Sequence, residues 1–558
     1  MKFKKNATGN TKGGSQGIGA QSMARGFAVL SAASIAVKVL SLLFVPVIRR
    51  LMGGSAGYQV YSSANQIYAF VYVIATAGLP VAISKTVTEF MSTGEPRAAV
   101  RSFKIARTVL SALGLILSLL LLVLARPIAR ASGYSEAWLG IAVIAPNVFI
   151  CSILSAYRGY MQGLKNMTPT AVSQVIEQIV HLLVAIVLVF VFRSKGVVWA
   201  VAGASFGTVA GSIAALLIVL YYYGKTRSGV FYRIPDEGVL RNTAESHVNR
   251  RAAERSGRDY LKLLAMYSIP ITLSAAIQYG GNLIDVFIVK GRLIRSGLSE
   301  FAAASLHGDL SATRQLLNVP TALVTALCVS VLPVIAGLYA QKRREEVTER
   351  AAYSMKLCFI VAVPCTVALA VFAGPVYDVL DFDTPMLMTT MAASILLLGI
   401  VHLQSSIMQS VNLLYQATWF IGLGVLIKAV FNFILIGIPG LNIYGAVIST
   451  YLSYIVPMLL NDMVLRRKRG IRINYFRLLL RPVAASAAMI VPSYPAYMLL
   501  YAVLFRIFGD NYIANLGAFA VSALIAVIVY LAVLKLTRGL TKEDAMAVSP
   551  KLAKLLKF

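Results

Sequence analysis

Five ionisable residues lie inside otherwise apolar stretches of this chain: Lys38, Glu177, Asp285, Arg314 and Lys428. A charge at the centre of a bilayer costs from about 3 to more than 10 kcal/mol, so such residues face a cavity, a partner or a cargo. Lys38 is ten residues from both Ala28 and Ile48, about 15 Å from either along a helix rising 1.5 Å per residue. That is too deep for comfortable snorkelling. It is either a cationic contact for an anionic cargo or one half of a salt bridge that fixes packing. Asp285 and Arg314 fall in adjacent apolar stretches. They can form a pair that opens and closes as a gate, or a permanent pair. Alternatively Arg314 grips a phosphate, which its planar fork suits better than a point charge.

Spacing adds more. Glu177 and His181 are four apart, with Gln174 and Gln178 nearby, so all belong to one helical face. Lys428 and Asn432 repeat the spacing, and an offset of 251 residues carries Glu177 onto Lys428 and His181 onto Asn432. Opposite charges at equivalent positions of two halves point to a polar network between the halves; polar glue within each half is the alternative. His402, Gln404, Gln409 and Asn412 make one stretch too polar for lipid exposure. They are expected to face a cavity or another helix. Arg158 lies near a span end, where it can meet a phosphate or, as position alone favours, anchor the helix to the headgroups.

The elements that position these residues follow from composition. The 558 residues are 58% hydrophobic and 13% charged, with a mean hydropathy of +0.75. That much apolar surface demands lipid, and spanning helices need about 20 apolar residues each. The runs are too long and too uniform for barrel strands. The fold class is an all-α polytopic membrane protein. About fourteen spans are expected, near 26–48, 60–84, 106–125, 137–163, 171–193, 197–224, 261–290, 310–340, 354–377, 386–415, 418–438, 441–465, 478–505 and 512–536. The first reads as a retained signal anchor.

A net charge of +30 would point to nucleic acid in a soluble chain. Here the charges cluster in alternate loops, roughly 38 of the 52 Lys and Arg on one side, as the positive-inside rule requires. Both termini are then cytoplasmic and no nucleic-acid partner is expected. The four cysteines (151, 328, 358 and 365) fall within apolar spans without metal-ligand spacing. They read as packing residues.

Repetition organises the spans. Gly78-Leu79-Pro80-Val81 closes the second and Val331-Leu332-Pro333-Val334 the eighth; Trp199-Ala200-Val201-Ala202-Gly203-Ala204 opens the sixth and Ile443-Tyr444-Gly445-Ala446-Val447 the twelfth. Equivalents separated by six spans share an orientation, giving two parallel-repeat six-helix lobes, a transporter architecture. The expected layout is a basic cytoplasmic N-terminus (1–25), an N-lobe (26–224), an Arg-rich linker (225–260), a C-lobe (261–465), two further helices (478–536) and a basic tail (537–558) able to rest on anionic lipid. No Walker A, HExxH or nucleophile-elbow pattern appears, and the loops are too short for a nucleotide domain. No cofactor is expected. Coupling would come from a monovalent-cation gradient, the membrane potential or the cargo gradient.

Tyr157-Arg158-Gly159-Tyr160-Met161-Gln162-Gly163 and Met167-Thr168-Pro169-Thr170-Ala171-Val172-Ser173-Gln174-Val175-Ile176-Glu177-Gln178 resemble the SpoVB/YtgP group of polysaccharide-biosynthesis proteins, within the multidrug/oligosaccharidyl-lipid/polysaccharide exporter (MOP) superfamily. More distantly, Asn282-Leu283-Ile284-Asp285, Ala312-Thr313-Arg314-Gln315-Leu316-Leu317-Asn318-Val319-Pro320 and Val37-Lys38-Val39-Leu40 resemble segments of the MurJ lipid II flippases, with lysine at 38 where that family has arginine. The resemblance implies a MATE/MurJ-like fold. It also implies a flippase for an undecaprenyl-pyrophosphate-linked glycan, lipid II first among them, in the bacterial cytoplasmic membrane. Lys38, Arg314 and Arg158 would then touch the anionic substrate. Asp285, Glu177 and Lys428 would gate or couple, and His181, Asn432, His402 and Gln404 would line the cavity. Membrane lipids and cell-wall synthesis enzymes are the expected partners. A drug/cation antiporter and a non-transporting membrane scaffold are the competing readings.

Overall fold

The computed structural model describes residues 23–231, 256–380 and 382–540. Nearly all of the basic N-terminus, residues 232–255 of the linker and the tail from 541 onward lie outside the described residues.

Among the described residues every regular element is helical. The first half holds α1 (Met23–Leu51), α2 (Ser55–Thr76), α3 (Leu79–Ser92), α4 (Pro96–Val123), α5 (Ala125–Ala131), α6 (Trp138–Ile144), α7 (Pro146–Gly163), α8 (Thr168–Phe192) and α9 (Val197–Phe231). The second holds α10 (Gly257–Arg295), α11 (Glu300–Ala340), α12 (Arg344–Val371), α13 (Ala373–Leu380), α14 (Pro385–Met391), α15 (Ser394–Ser410), α16 (Leu414–Leu435) and α17 (Tyr444–Arg469). Two more, α18 (Tyr475–Phe508) and α19 (Asn511–Leu536), follow and pack on each other and on α12.

Thirteen segments of the described chain are long and apolar enough to cross a membrane. They fall on thirteen of the expected spans; the expected eighth lies within α11, 41 residues long. Several expected spans are broken helices. The second divides into α2 and α3 at Ala77 and Gly78, where Pro80 sits in the first turn of α3. The fourth breaks before Pro146. Proline lacks the amide hydrogen that a continuous helix would bond, so the chain restarts there.

Of three large apolar cores, one keeps to a single half and two reach across. One apolar core stays within residues 289–473 of the second half, and another joins α3, α4, α7 and α9 to the start of α10. A third runs across both halves, from Phe44, Ile48 and Tyr58 to Leu316, Phe372 and Tyr377. The halves meet where α1, α2 and α3 pack against α10 and α11.

Candidate functional site

In the first half, α9 lies flush on α8 because Gly203, Gly207 and Gly211 repeat at four-residue spacing. A β-carbon at Gly207 would come within 2.6 Å of the Ala185 side chain, and one at Gly211 would strike the Glu177 carbonyl oxygen. Small residues at this spacing let helix backbones approach closely in a membrane. With that flank of α8 taken by α9, the Glu177, His181, Gln174 and Gln178 side chains line a cavity of about 320 Å³ that Lys38, Tyr72 and Arg158 also line.

Arg158 of α7 reaches across to α8, its guanidinium donating to Glu177 Oε2 at 2.8 Å and to Ser173 Oγ at 3.0 Å. Ser212 of α9 donates to Glu177 Oε1 at 3.1 Å. Arg158, which position alone favoured as a headgroup anchor, is thus paired inside the protein. A carboxylate on the next helix, 19 residues further along the chain, holds it in the cavity wall. His181 sits 3.4 Å from Thr208 Oγ1, its ring 5.0 Å from that of Phe44. Lys38 is exposed to the cavity, and among the described residues it makes no ion pair. With Arg158 and Glu177 cancelling each other, the cavity keeps one net positive charge.

In the second half two pairs at i, i+4 spacing face each other, Gly281 and Asp285 on α10 and Lys428 and Asn432 on α16. Asp285 is fully buried. Its Oδ2 accepts from Lys428 Nζ at 2.6 Å, the same ammonium donates to the Gly281 carbonyl at 2.8 Å, and the Asn432 amide donates to Oδ1. Arg314 of α11 completes the group with NH1 in ion-pair contact with Oδ2. Two cations against one carboxylate again leave one positive charge.

Glu177 and Lys428 thus do not join in a network between the halves. Each finds its counter-ion on a neighbouring helix of its own half, because a buried charge takes the first opposite charge that packing offers. Nor does the structure bring Lys38 and Arg314 to one point, since they belong to separate clusters. His402 contacts Gln278 of α10 at 2.6 Å, and Gln404 donates to the Tyr475 hydroxyl of α18 at 2.8 Å. These two serve helix-helix contacts.

A third cluster, absent from the sequence reading, ties the halves together at the end where α1 stops and α2 begins. Ser55 at the start of α2 donates to Asp309 Oδ1 of α11, and Thr384 donates to Asp309 Oδ2 at 2.6 Å. Arg49 Nε donates to Ser55 Oγ at 2.8 Å, and its guanidinium pairs with Asp383. Tyr134 meets His307 Nδ1 at 2.8 Å. Lys290 Nζ donates at 2.7 Å both to the Gly133 carbonyl and to Glu300. That hydrogen bond and the ammonium's charge hold the Glu300 carboxyl below its ordinary value. In the expected orientation this is the outer end, so the two halves are latched shut there. The available signal was Asp309 five residues before Arg314, an acid at the head of an apolar helix.

The helical fold, with thirteen segments long and apolar enough to cross a membrane, defines a multi-pass membrane protein that carries two net-cationic clusters in its interior and a latch between its halves. The comparisons make the class specific: the chain belongs to the polysaccharide biosynthesis protein family, whose profile matches residues 23–339. It is 28% identical to stage V sporulation protein B of Bacillus subtilis (strain 168) over 477 residues, 84% of this chain and 88% of that protein. It is 24% identical to the lipid II flippase MurJ of the same organism over 472 residues, 80% of this chain and 83% of that one. A solved lipid II flippase MurJ in an inward closed conformation shares the fold, with a TM-score of 0.61 at 14% identity over 91% of this chain and 98% of that one.

Proposed function

We propose that this protein carries a polyprenyl-pyrophosphate-linked glycan from the cytoplasmic to the outer leaflet of the bacterial cytoplasmic membrane, with lipid II as the first cargo to test. The observation that carries this reading is the charge balance. In both clusters every buried or half-buried carboxylate is matched by an arginine or lysine, and a cation is left over. Low-dielectric surroundings make such an excess strongly attractive to phosphate. An organic-cation antiporter needs the opposite excess.

The cavity beside Lys38 has a volume of about 320 Å³, at the lower end of the range of small-molecule sites. That accommodates a phosphate headgroup and part of a sugar, while the polyprenyl tail stays in lipid. Rocking of one half against the other, with the latch breaking and re-forming, would expose the cargo on alternate sides. Coupling to a monovalent cation or to the membrane potential, cytoplasmic placement of both termini and contact with cell-wall synthesis enzymes belong to the same proposal.

Identity to stage V sporulation protein B slightly exceeds that to MurJ, which favours a different lipid-linked glycan as the second reading. One experiment separates them: deplete the resident lipid II flippase of a bacterium, express this chain and follow lipid II at the outer surface. Restored exposure supports lipid II. Failure with confirmed membrane insertion refutes it and leaves another lipid-linked glycan.

A further inference from the structure

Asp285 holds two cations where one would neutralise it, and the two are held differently. Lys428 is nearly enclosed, with a side-chain exposure of 7%, and its ammonium has two close oxygen partners, Asp285 Oδ2 and the Gly281 carbonyl. Arg314 is more exposed, at 17%. Its NH1 touches the carboxylate, yet neither NH1 nor NH2 finds a protein acceptor in hydrogen-bonding geometry. The fork of Arg314 is therefore buried with its donors unspent. In the other half Arg158 is the reverse case, with Nε on Ser173 and NH2 on Glu177.

We infer that Lys428 is a positioning residue, the resident counter-ion of Asp285, whose task is to free Arg314 for the anionic group of the cargo. A fully buried carboxylate cannot give up its last cation, because stranding that charge is strongly unfavourable. With Lys428 and Asn432 in place, Arg314 can swing off Asp285 and leave the carboxylate still paired. The released fork then offers parallel donors to phosphate oxygens, the bidentate geometry that arginine provides. Remove the lysine charge and Arg314 becomes the only cation on Asp285, locked to it. Remove both charges and Arg314 is free again. This inference rests on the proposed function for the identity of its ligand, a phosphate or pyrophosphate ester, and on geometry alone for the exchange.

The test is a cycle of Lys428→Gln, Asp285→Asn and the double variant in the full chain, purified in detergent. Binding of inorganic pyrophosphate is read from thermal stabilisation, and glycan flipping is read separately in vesicles. Lys428→Gln is expected to weaken pyrophosphate binding by about tenfold or more, about 1.4 kcal/mol. Asp285→Asn binds at least as tightly as the parent chain. The double variant returns to within about threefold of the parent, a rescue that a merely structural lysine would not allow.

A double variant as weak as Lys428→Gln overturns the inference, since Lys428 would then touch the anion or hold the fold itself. So does an unaffected Lys428→Gln, or a parent chain that pyrophosphate does not stabilise. If the binding pattern appears but no lipid-linked glycan is flipped, the proposed cargo falls and the counter-ion role stands. If flipping occurs without the rescue, the reverse holds.

Discussion

Replacing Asp309 by asparagine should open the latch. Its carboxylate, 1% exposed, accepts one hydrogen bond across the halves, from Ser55, and another within its own half, from Thr384, with Arg49 Nη2 at 3.9 Å. Hydrogen bonds to a charged group contribute about 1.5–3 kcal/mol each, neutral ones about 1 kcal/mol. Asparagine keeps one acceptor oxygen for the Ser55 and Thr384 hydroxyls, so the bond across the halves is weakened or lost, while Arg49 retains Asp383. The closed arrangement should lose about 1–3 kcal/mol, which lowers its ratio to the open one by a factor of about 5–150. Ser311, just inside the latch and 6% exposed, provides the reporter. Place a cysteine there in a background where Cys151, Cys328, Cys358 and Cys365 are alanine, and apply a membrane-impermeant maleimide from outside intact cells. Labelling should quicken by at least about fivefold in Asp309→Asn, at one decade per 1.4 kcal/mol. An unchanged rate in a correctly inserted protein would refute a latch at this end.

Gly308→Ala should act in the same direction by sterics alone. A β-carbon there would strike the Ser55 carbonyl oxygen, an overpacking that costs about 1–3 kcal/mol; the same labelling assay reads it, and slower labelling would contradict the packing argument. Lys38→Ala should leave thermal stability within about 0.5 kcal/mol, since no ion pair is broken, yet sharply reduce glycan flipping. A large stability loss with proportionate flipping would make Lys38 a structural residue. Arg158→Gln strands a carboxylate that is 27% exposed and should cost about 1–3 kcal/mol of stability, less than a fully buried pair. The Arg158→Gln/Glu177→Gln variant should recover at least half of that in the same thermal melt; no recovery would mean that Glu177 has another charge partner.

The apolar runs sufficed to place the spans, because a bilayer leaves the backbone no alternative to a helix. They did not show the breaks at Gly78 and Ala145, although Pro80 and Pro146 were the available markers. The contact of Asp285 with Arg314 was legible from their places in adjacent spans. The role of Lys428 was not, because the repeat offset paired it formally with Glu177. Helix packing then supplied each charge a nearer counter-ion, Arg158 for Glu177 and Asp285 for Lys428. The latch was hidden for a different reason. Arg49, Lys290 and Glu300 stand at span ends, where charged residues are ordinary membrane anchors. Only the closure of one half on the other brings Arg49 and Ser55 to Asp309 and Asp383, more than 250 residues away in sequence.

The most direct measurement places the purified protein in vesicles with a fluorescent polyprenyl-pyrophosphate glycan in one leaflet and follows its arrival in the other by bleaching with an impermeant reductant. The protein should speed transfer well above empty vesicles, and Lys38→Ala and Arg314→Ala should each abolish most of the gain. Transfer no faster than in empty vesicles would contradict the proposed function, and undiminished transfer by both variants would contradict the cationic sites assigned to it.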